Sequence, residues 1–223
     1  MPMFSLRIAF LALSLIASTI PAVSQTPQAA QSEQRKTSNP YKGDLSIFET
    51  PGRDERLQIN RVMDILGIMS GKNVADIGAG SGWFTVRAAK RVGAMGLVYA
   101  VDINPDAIHY IGQRANKEKL PNVKGILSTP DDPRLPANSV DAVLMLKTYH
   151  EISHPVELLK NLRAALRPGA KIGVIDRNGN GEDHGVGSDV IIREANEAGY
   201  TLLDKYDFVK DGMDYFLVFT VQE

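Results

Sequence analysis

The sequence predicts an α/β fold: a doubly wound sheet of about seven strands, mostly parallel, ending in an antiparallel C-terminal β-hairpin. Three observations carry this. Short apolar runs alternate with helical patterns from residue 73 to residue 198, the order that builds a parallel sheet covered on both faces. The first run passes straight into a glycine loop and a helix, VADIGAGSGWF over residues 74–84. The last two runs are joined by Lys210-Asp211-Gly212, a hairpin signal.

The elements follow in order. Leu57, Val62, Ile65, Leu66 and Met69 recur at helical spacing, so residues 53–69 read as one helix, ended near Gly71. Residues 73–77 are a short apolar strand, and residues 83–92 a helix. LVYAV over residues 97–101 is the second strand, ending in Asp102. Pro105 suits the first turn of a helix running to about residue 119, because its fixed φ is already helical. Residues 123–127 and 140–146 are the third and fourth strands, the latter apolar on both faces. A helix over residues 155–166 is stopped by Arg167-Pro168-Gly169. Residues 170–175 form the fifth strand, ending in Asp176. A glycine-rich loop, a helix over residues 188–198 and the strands 201–209 and 215–221 complete the chain. Sheets of this type bind ligands at the carboxyl ends of their strands, near the switch in strand order, so the residues after each strand are the ones to inspect.

Composition narrows the function. The chain has 223 residues and a formal net charge of -1, with none of the basic excess of a nucleic-acid binder. It has no cysteine, which excludes disulfides, thiolate metal sites and a cysteine nucleophile. Residues 1–24 have the layout of a secretory signal peptide: Arg7, an apolar run from Ile8 to Ile20, and Ala22-Val23-Ser24 as a small-x-small cleavage pattern before Gln25. The run is short of the ~20 residues a membrane span needs. The expectation is therefore export to the periplasm, with an uncleaved membrane anchor as the alternative. Residues 25–44 are polar and aperiodic and read as a disordered linker, leaving residues 45–223 as the folded domain.

Gly78, Gly80 and Gly82 permit a tight turn and close approach of a ligand to the backbone. Their G-x-G-x-G spacing differs from the G-x-G-x-x-G of dinucleotide sites, with Trp83 in the place of the third glycine. Asp76, two residues before Gly78, would repel a pyrophosphate and favour a cation. S-adenosylmethionine (SAM) carries an ammonium and a sulfonium and no phosphate, so the loop suits SAM better than NAD. The plainer reading of Asp76 is a cap for the turn or helix. Asp102 is placed to accept both hydrogen bonds of a ribose diol, which does not separate the two cofactors. Ile103 beside it offers an apolar face for adenine.

The stretches VADIGAGSGWFTVRAA, LVYAVDINPDAI, DDPRLPANSVDAVLMLKTYHEI and LRPGAKIGVIDR together resemble the class I SAM-dependent methyltransferases, with their Rossmann-like sheet, and are closest in style to the UbiE-like small-molecule branch. The resemblance covers about residues 53–221. It implies that Asp76 and the backbone of Gly78, Ala79, Gly80 and Gly82 surround the methionine moiety, and that Asp102 holds the ribose. It implies an acid after strand three for the adenine amino group. Ser128-Thr129 occupy the usual place of that acid, which leaves Asp131 and Asp132 as the nearest candidates. Lys147 would lie beside the cofactor.

Methyl transfer is an in-line displacement, and much of its catalysis can come from alignment. A base is needed only for a protonated acceptor. His150 after strand four is the candidate base, Tyr149 a residue to orient the acceptor, and Glu151 a partner for His150 or the substrate. His184, in the glycine-rich loop after Asp176, is a second acceptor-side candidate. His150, His154, Asp176 and Asp183 show no strong metal-ligand spacing, so no metal is expected. The acceptor expected is a small molecule. An NAD(P)-linked oxidoreductase and a non-catalytic exported SAM-binding domain are the competing functions.

Overall fold

The computed structural model describes residues 35–222. The signal-peptide reading, and the part of the linker before residue 35, lie outside the described residues. The elements are α1 (Arg53–Leu57), α2 (Ile59–Ile65), β1 (Val74–Ile77), α3 (Trp83–Val92), β2 (Val98–Asp102), α4 (Pro105–Lys117), β3 (Val123–Leu127), β4 (Val140–Leu146), α5 (Pro155–Leu162), β5 (Leu166–Asp176), α6 (Ser188–Glu197), β6 (Tyr200–Tyr206) and β7 (Tyr215–Val221). The sheet order is β3-β2-β1-β4-β5-β7-β6. β1 to β5 run parallel, while β7 is antiparallel to both β5 and β6. The doubly wound sheet and its terminal hairpin are thus as the sequence reads them.

Strand alternation sorts the core into two faces. On one, Val143, Met145, Ile172, Val174, Leu217 and Phe219 pack with Leu158, Leu162 and Ile191 of α5 and α6. On the other, Ala142, Leu144, Phe216 and Val218 meet Leu57, Val62, Phe84 and Val92 of α1, α2 and α3. Successive residues of β4 therefore feed opposite cores, which is why this strand reads as continuously apolar.

Three boundaries differ from the sequence reading. The first helix is two short ones, because Gln58 adopts a left-handed conformation (φ 49°) and its side-chain amide donates to the Phe208 carbonyl at 3.3 Å. The helix over 155–166 ends at Leu162, and β5 begins at Leu166 and takes Pro168 into its first residues. β5 reaches β4 there through an irregular register between Val140 and Ala142, which accommodates a residue that cannot donate to a ladder. β6 stops at Tyr206 because the chain after it is drawn to α1, with the Lys210 amide donating to the Arg56 carbonyl at 2.8 Å.

Residues 35–44 depart from the linker reading. Arg35 donates from Nε to Glu194 (3.0 Å) and from Nη2 to the carbonyls of Tyr149 and Ile152 (3.1 Å each). The Ser38 amide donates to the His150 carbonyl (3.2 Å), and its hydroxyl donates to the Gly181 carbonyl (2.7 Å) and accepts from the His184 amide (2.9 Å). These polar residues are ordered by partners far away in sequence, which composition does not reveal.

The strand order reverses between β1 and β4. Crossovers leave β1 toward β2 and β3 on one side and toward β4 and β5 on the other, so a crevice opens at the carboxyl ends of β1 and β4. Among the described residues, no helix is long and apolar enough to cross a membrane.

Candidate active site

A cleft of about 720 Å³ occupies that crevice. Its floor is the glycine loop. Gly78 has φ 73°, and a β-carbon there would collide with the side chain of Thr148 at the end of β4. Only glycine lets β1 and β4 close this tightly under the cleft. Gly80, at φ 53°, keeps the loop low enough for a ligand to lie on its backbone.

The amides of Gly78, Ala79, Gly80 and Gly82 are consumed internally. Gly78 and Ala79 donate to the Val101 carbonyl (2.8 and 3.1 Å), Gly82 donates to the Ala79 carbonyl (2.8 Å), and Gly80 donates to Asp102 Oδ2 (2.8 Å). A phosphate cradle needs those donors free. The loop therefore offers a snug backbone surface rather than an anion site, and the carboxylates supply negative charge instead.

Two acids face the cleft from the first two strands. Asp76 is 2% exposed and accepts from Thr85 Oγ1 at 2.6 Å. Burial is the largest cause that pushes its carboxyl up to about 7, with Asp102 adding to the rise and Thr85 and Arg53 opposing it. Asp102 accepts from the Gly80 amide on Oδ2 and the Asn104 amide on Oδ1 (2.9 Å), which fixes the carboxylate plane. Burial raises this carboxyl too, against those backbone donors. Acids held up in this way gain from a cationic or diol ligand.

At the other end, His150 (1% exposed) sits on the turn after β4. Its Nδ1 lies 2.9 and 3.0 Å from the two oxygens of Asp176, fully buried at the end of β5. The His150 amide also donates to Asp176 Oδ2 at 3.2 Å. Ionised Asp176 can only accept, so Nδ1 carries the proton and Nε2 presents its lone pair. Nε2 is 3.8 Å from Glu151 Oε1, and the His184 ring stands perpendicular to that of His150 with centroids 5.7 Å apart. Burial is the main cause that raises the Glu151 carboxyl to about 7.

The segment 45–48 and the strap before it line the remaining rim with Tyr41, Leu45, Ile47 and Phe48. Arg53 lies over the Trp83 ring at 4.4 Å, with Arg87 4.0 Å from the same ring, and its Nε donates to Asp211 at 2.9 Å.

The comparisons meet this geometry. A methyltransferase-domain family model matches residues 74–169. A SAM-dependent methyltransferase from Aquifex aeolicus superposes with a TM-score of 0.72 at 25% identity, over 81% of this chain and 100% of that one. Residues 74–169 match a methyltransferase domain, and the fold is that of a SAM-dependent methyltransferase. Among curated methyltransferases, aklanonic acid methyltransferase DauC of Streptomyces sp. (strain C5) is 30% identical over 117 residues, 52% of this chain and 50% of that protein. The 2-phytyl-1,4-naphtoquinone methyltransferase of Trichormus variabilis is 30% identical over 111 residues, 49% of this chain and 48% of that protein. The chain thus spans about half the length of the curated relatives it matches.

The cofactor of this family is SAM, and the residues present fit it. The bonded glycine amides leave no phosphate cradle, and one buried and one half-buried acid, Asp76 and Asp102, both with raised affinity for protons, face the cleft. Asp76 suits the methionine ammonium, Asp102 the ribose diol, and Ile103, 41% exposed on the cleft wall, an adenine face. Gly78, Ala79, Gly80 and Lys147 line the same space, with Gly82 just behind at the start of α3.

Not every expected residue is in place. Asp131 and Asp132 turn away: Asp131 accepts from Thr129 Oγ1 (2.8 Å) and Asp132 from the Arg134 amide (2.7 Å), so both close their own turn. Ser128, Thr129 and Pro130 line the cleft in their stead. Tyr149 is also misplaced by the sequence reading. The turn at Tyr149–Glu151 is a 3-10 helix, which rotates successive side chains by a third of a circle. His150 and Glu151 face the cleft, and Tyr149 is driven into the core at 0% exposure under the Arg35 guanidinium. Sequence reasoning passed over Asp176 as the partner of His150, although an acid at the end of β5 was its visible signal. It had no signal for Thr148 or for the strap from Arg35 to Ser38.

Proposed function

We propose that this chain methylates a small-molecule acceptor with SAM, the acceptor lying at the His150 end of the cleft. The observation that carries this reading is the joint geometry of one cavity: a glycine loop with internally bonded glycine amides and the acids Asp76 and Asp102 at one end, and a histidine held by a buried aspartate at the other.

The bound cofactor supplies an electrophilic methyl group on a sulfonium. The chain's own residues do the rest. Asp76 and Asp102 hold the cofactor's cationic and diol groups, and the rigid loop fixes its position, which supplies alignment for an in-line transfer. Asp176 orients His150, so that Nε2 can take a proton from an acceptor as it is methylated. Leu45, Ile47 and Phe48 cover the rim and exclude water. Their apolar surface favours an apolar acceptor, in line with relatives named for a naphthoquinone and for aklanonic acid.

We further propose that residues 1–24 direct export, on the strength of their sequence pattern alone; N-terminal sequencing of the protein from fractionated cells checks this. An exported enzyme needs SAM outside the cytoplasm, so the two proposals are tested separately.

The first test is calorimetric titration of the full chain with SAM and with its demethylated product, repeated with Asp102→Ala. Micromolar binding that falls at least tenfold in the variant, a loss of ~1.4 kcal/mol or more, supports the reading. A folded protein that binds neither ligand refutes it and moves a non-catalytic role to the front.

A further inference from the structure

We propose that His150, Glu151 and His184 form a binding site for a divalent transition-metal ion, with zinc the best match, at the acceptor end of the cleft. One donor atom from each residue lies within 4.8 Å of the other two. Two imidazoles and a carboxylate are the donor set of open zinc sites, which leave a fourth position for water or substrate.

The outer sphere is already built. A metal-binding imidazole usually donates its other N–H to a carboxylate, which fixes the ring and strengthens the donor nitrogen. Asp176 does this for His150, within 3.0 Å on both oxygens, and the His150 backbone amide braces the same carboxylate. Nε2, left with its lone pair, lies 3.8 Å from Glu151 Oε1. Donors around a tetrahedral zinc stand roughly 3.4 Å apart, from bond lengths near 2.1 Å. The His150–Glu151 pair needs only a small adjustment, and His184 must approach by about an ångström. His184 can do so. It is exposed, has φ 59°, and sits between Gly181 and Gly185 in the loop after β5.

Glu151 and Asp176 are the acids beside the ion, while Lys147 and Arg177 line the same cavity and oppose binding. The exposed side of His184 gives the ion a path from solvent. Local spacing could not show this site, because its ligands leave two different strands and converge only in the fold. The proposal departs from the expectation of no metal, which rests on the lack of an H-x-x-x-H pattern.

The consequence is a competition. An ion on Nε2 occupies the lone pair that otherwise takes a proton, and it ties the loop after β5 to the turn after β4. The metal-bound and proton-accepting states of His150 exclude each other.

The test uses the full chain, freed of metal with a chelator and titrated with zinc, then with cobalt(II) for its visible spectrum. One zinc per chain is expected, with a tetrahedral cobalt band. His184→Ala and Glu151→Gln should each weaken binding at least tenfold, and Asp176→Asn by about tenfold or more. His109→Ala, on the exposed face of α4, should leave it unchanged. Zinc should slow amide exchange over residues 178–186 in the parent chain and not in His184→Ala. The proposal is overturned by a folded chain that binds no zinc, by His184→Ala keeping full affinity, or by loss of binding in His109→Ala. SAM titration of the same samples separates this from the cofactor reading: SAM binding without zinc binding removes the metal site alone.

Discussion

Asp76→Asn should stabilise the ligand-free fold at alkaline pH while weakening its hold on SAM. The carboxyl rises from 3.8 to about 7 on folding, chiefly through burial. Between those values the folded chain keeps a proton that the unfolded chain has lost. Stability is therefore greatest below pH 4 for this group and is lost as pH rises toward 7. A gap of about 3 units at 1.36 kcal/mol each makes the ionised buried carboxylate cost on the order of 4 kcal/mol above pH 7. Asparagine keeps the acceptor for Thr85 Oγ1 and has no charge to bury. Its advantage over aspartate should thus be larger at pH 8 than at pH 5 by about 3 kcal/mol. For a domain of this size that is a relative melting shift of roughly 5–10 °C. Urea unfolding of both proteins at the two pH values measures it, and other titrating groups cancel in the comparison. SAM affinity at pH 8 should fall at least tenfold, since the partner of the ammonium is gone. A pH-independent difference, or a variant less stable at pH 8 than the parent, would refute the burial argument. Unchanged SAM affinity would refute the assignment of Asp76 to the cation.

Three further outcomes are expected. Gly78→Ala puts a methyl into Thr148 at a left-handed φ, so it should cost about 1–3 kcal/mol of stability and abolish measurable SAM binding by calorimetry. Arg35→Ala leaves Glu194, only 9% exposed, without its ion pair; a loss of about 2–4 kcal/mol and faster amide exchange at residues 149–152 are expected. Arg53→Ala removes both the Asp211 pair and one cation–π face of Trp83, and should lower the urea midpoint by an amount equivalent to about 2–4 kcal/mol, with the larger part recovered in neither Lys nor Gln variants.

The sequence made most of the fold legible because periodicity and glycine placement are local signals. VADI running into three spaced glycines, and VDAVLML feeding two cores, could be read from neighbours alone. The places of Asp76 and Asp102 on the cleft were equally legible, since strand ends fix them. What failed had non-local causes. Tyr149 and His150 are adjacent, yet a tight turn sends one to the core and the other to the cleft. Asp131 and Asp132 satisfy their own turn before they can serve an adenine. Ser38 and Arg35 look like linker because everything that orders them lies more than a hundred residues away. The His150–Asp176 pair required knowing that β4 and β5 are neighbours in parallel register.

Ser38 has one further implication. Its amide holds the turn after β4, and its hydroxyl holds both Gly181 and His184 in the loop after β5. One small residue, through its backbone amide and its hydroxyl, thus rivets two segments that the sheet itself leaves separate. Neither can swing outward while the rivet is closed, so the mouth of the cleft should open as a single cooperative event with one rate, rather than as two independently breathing flaps.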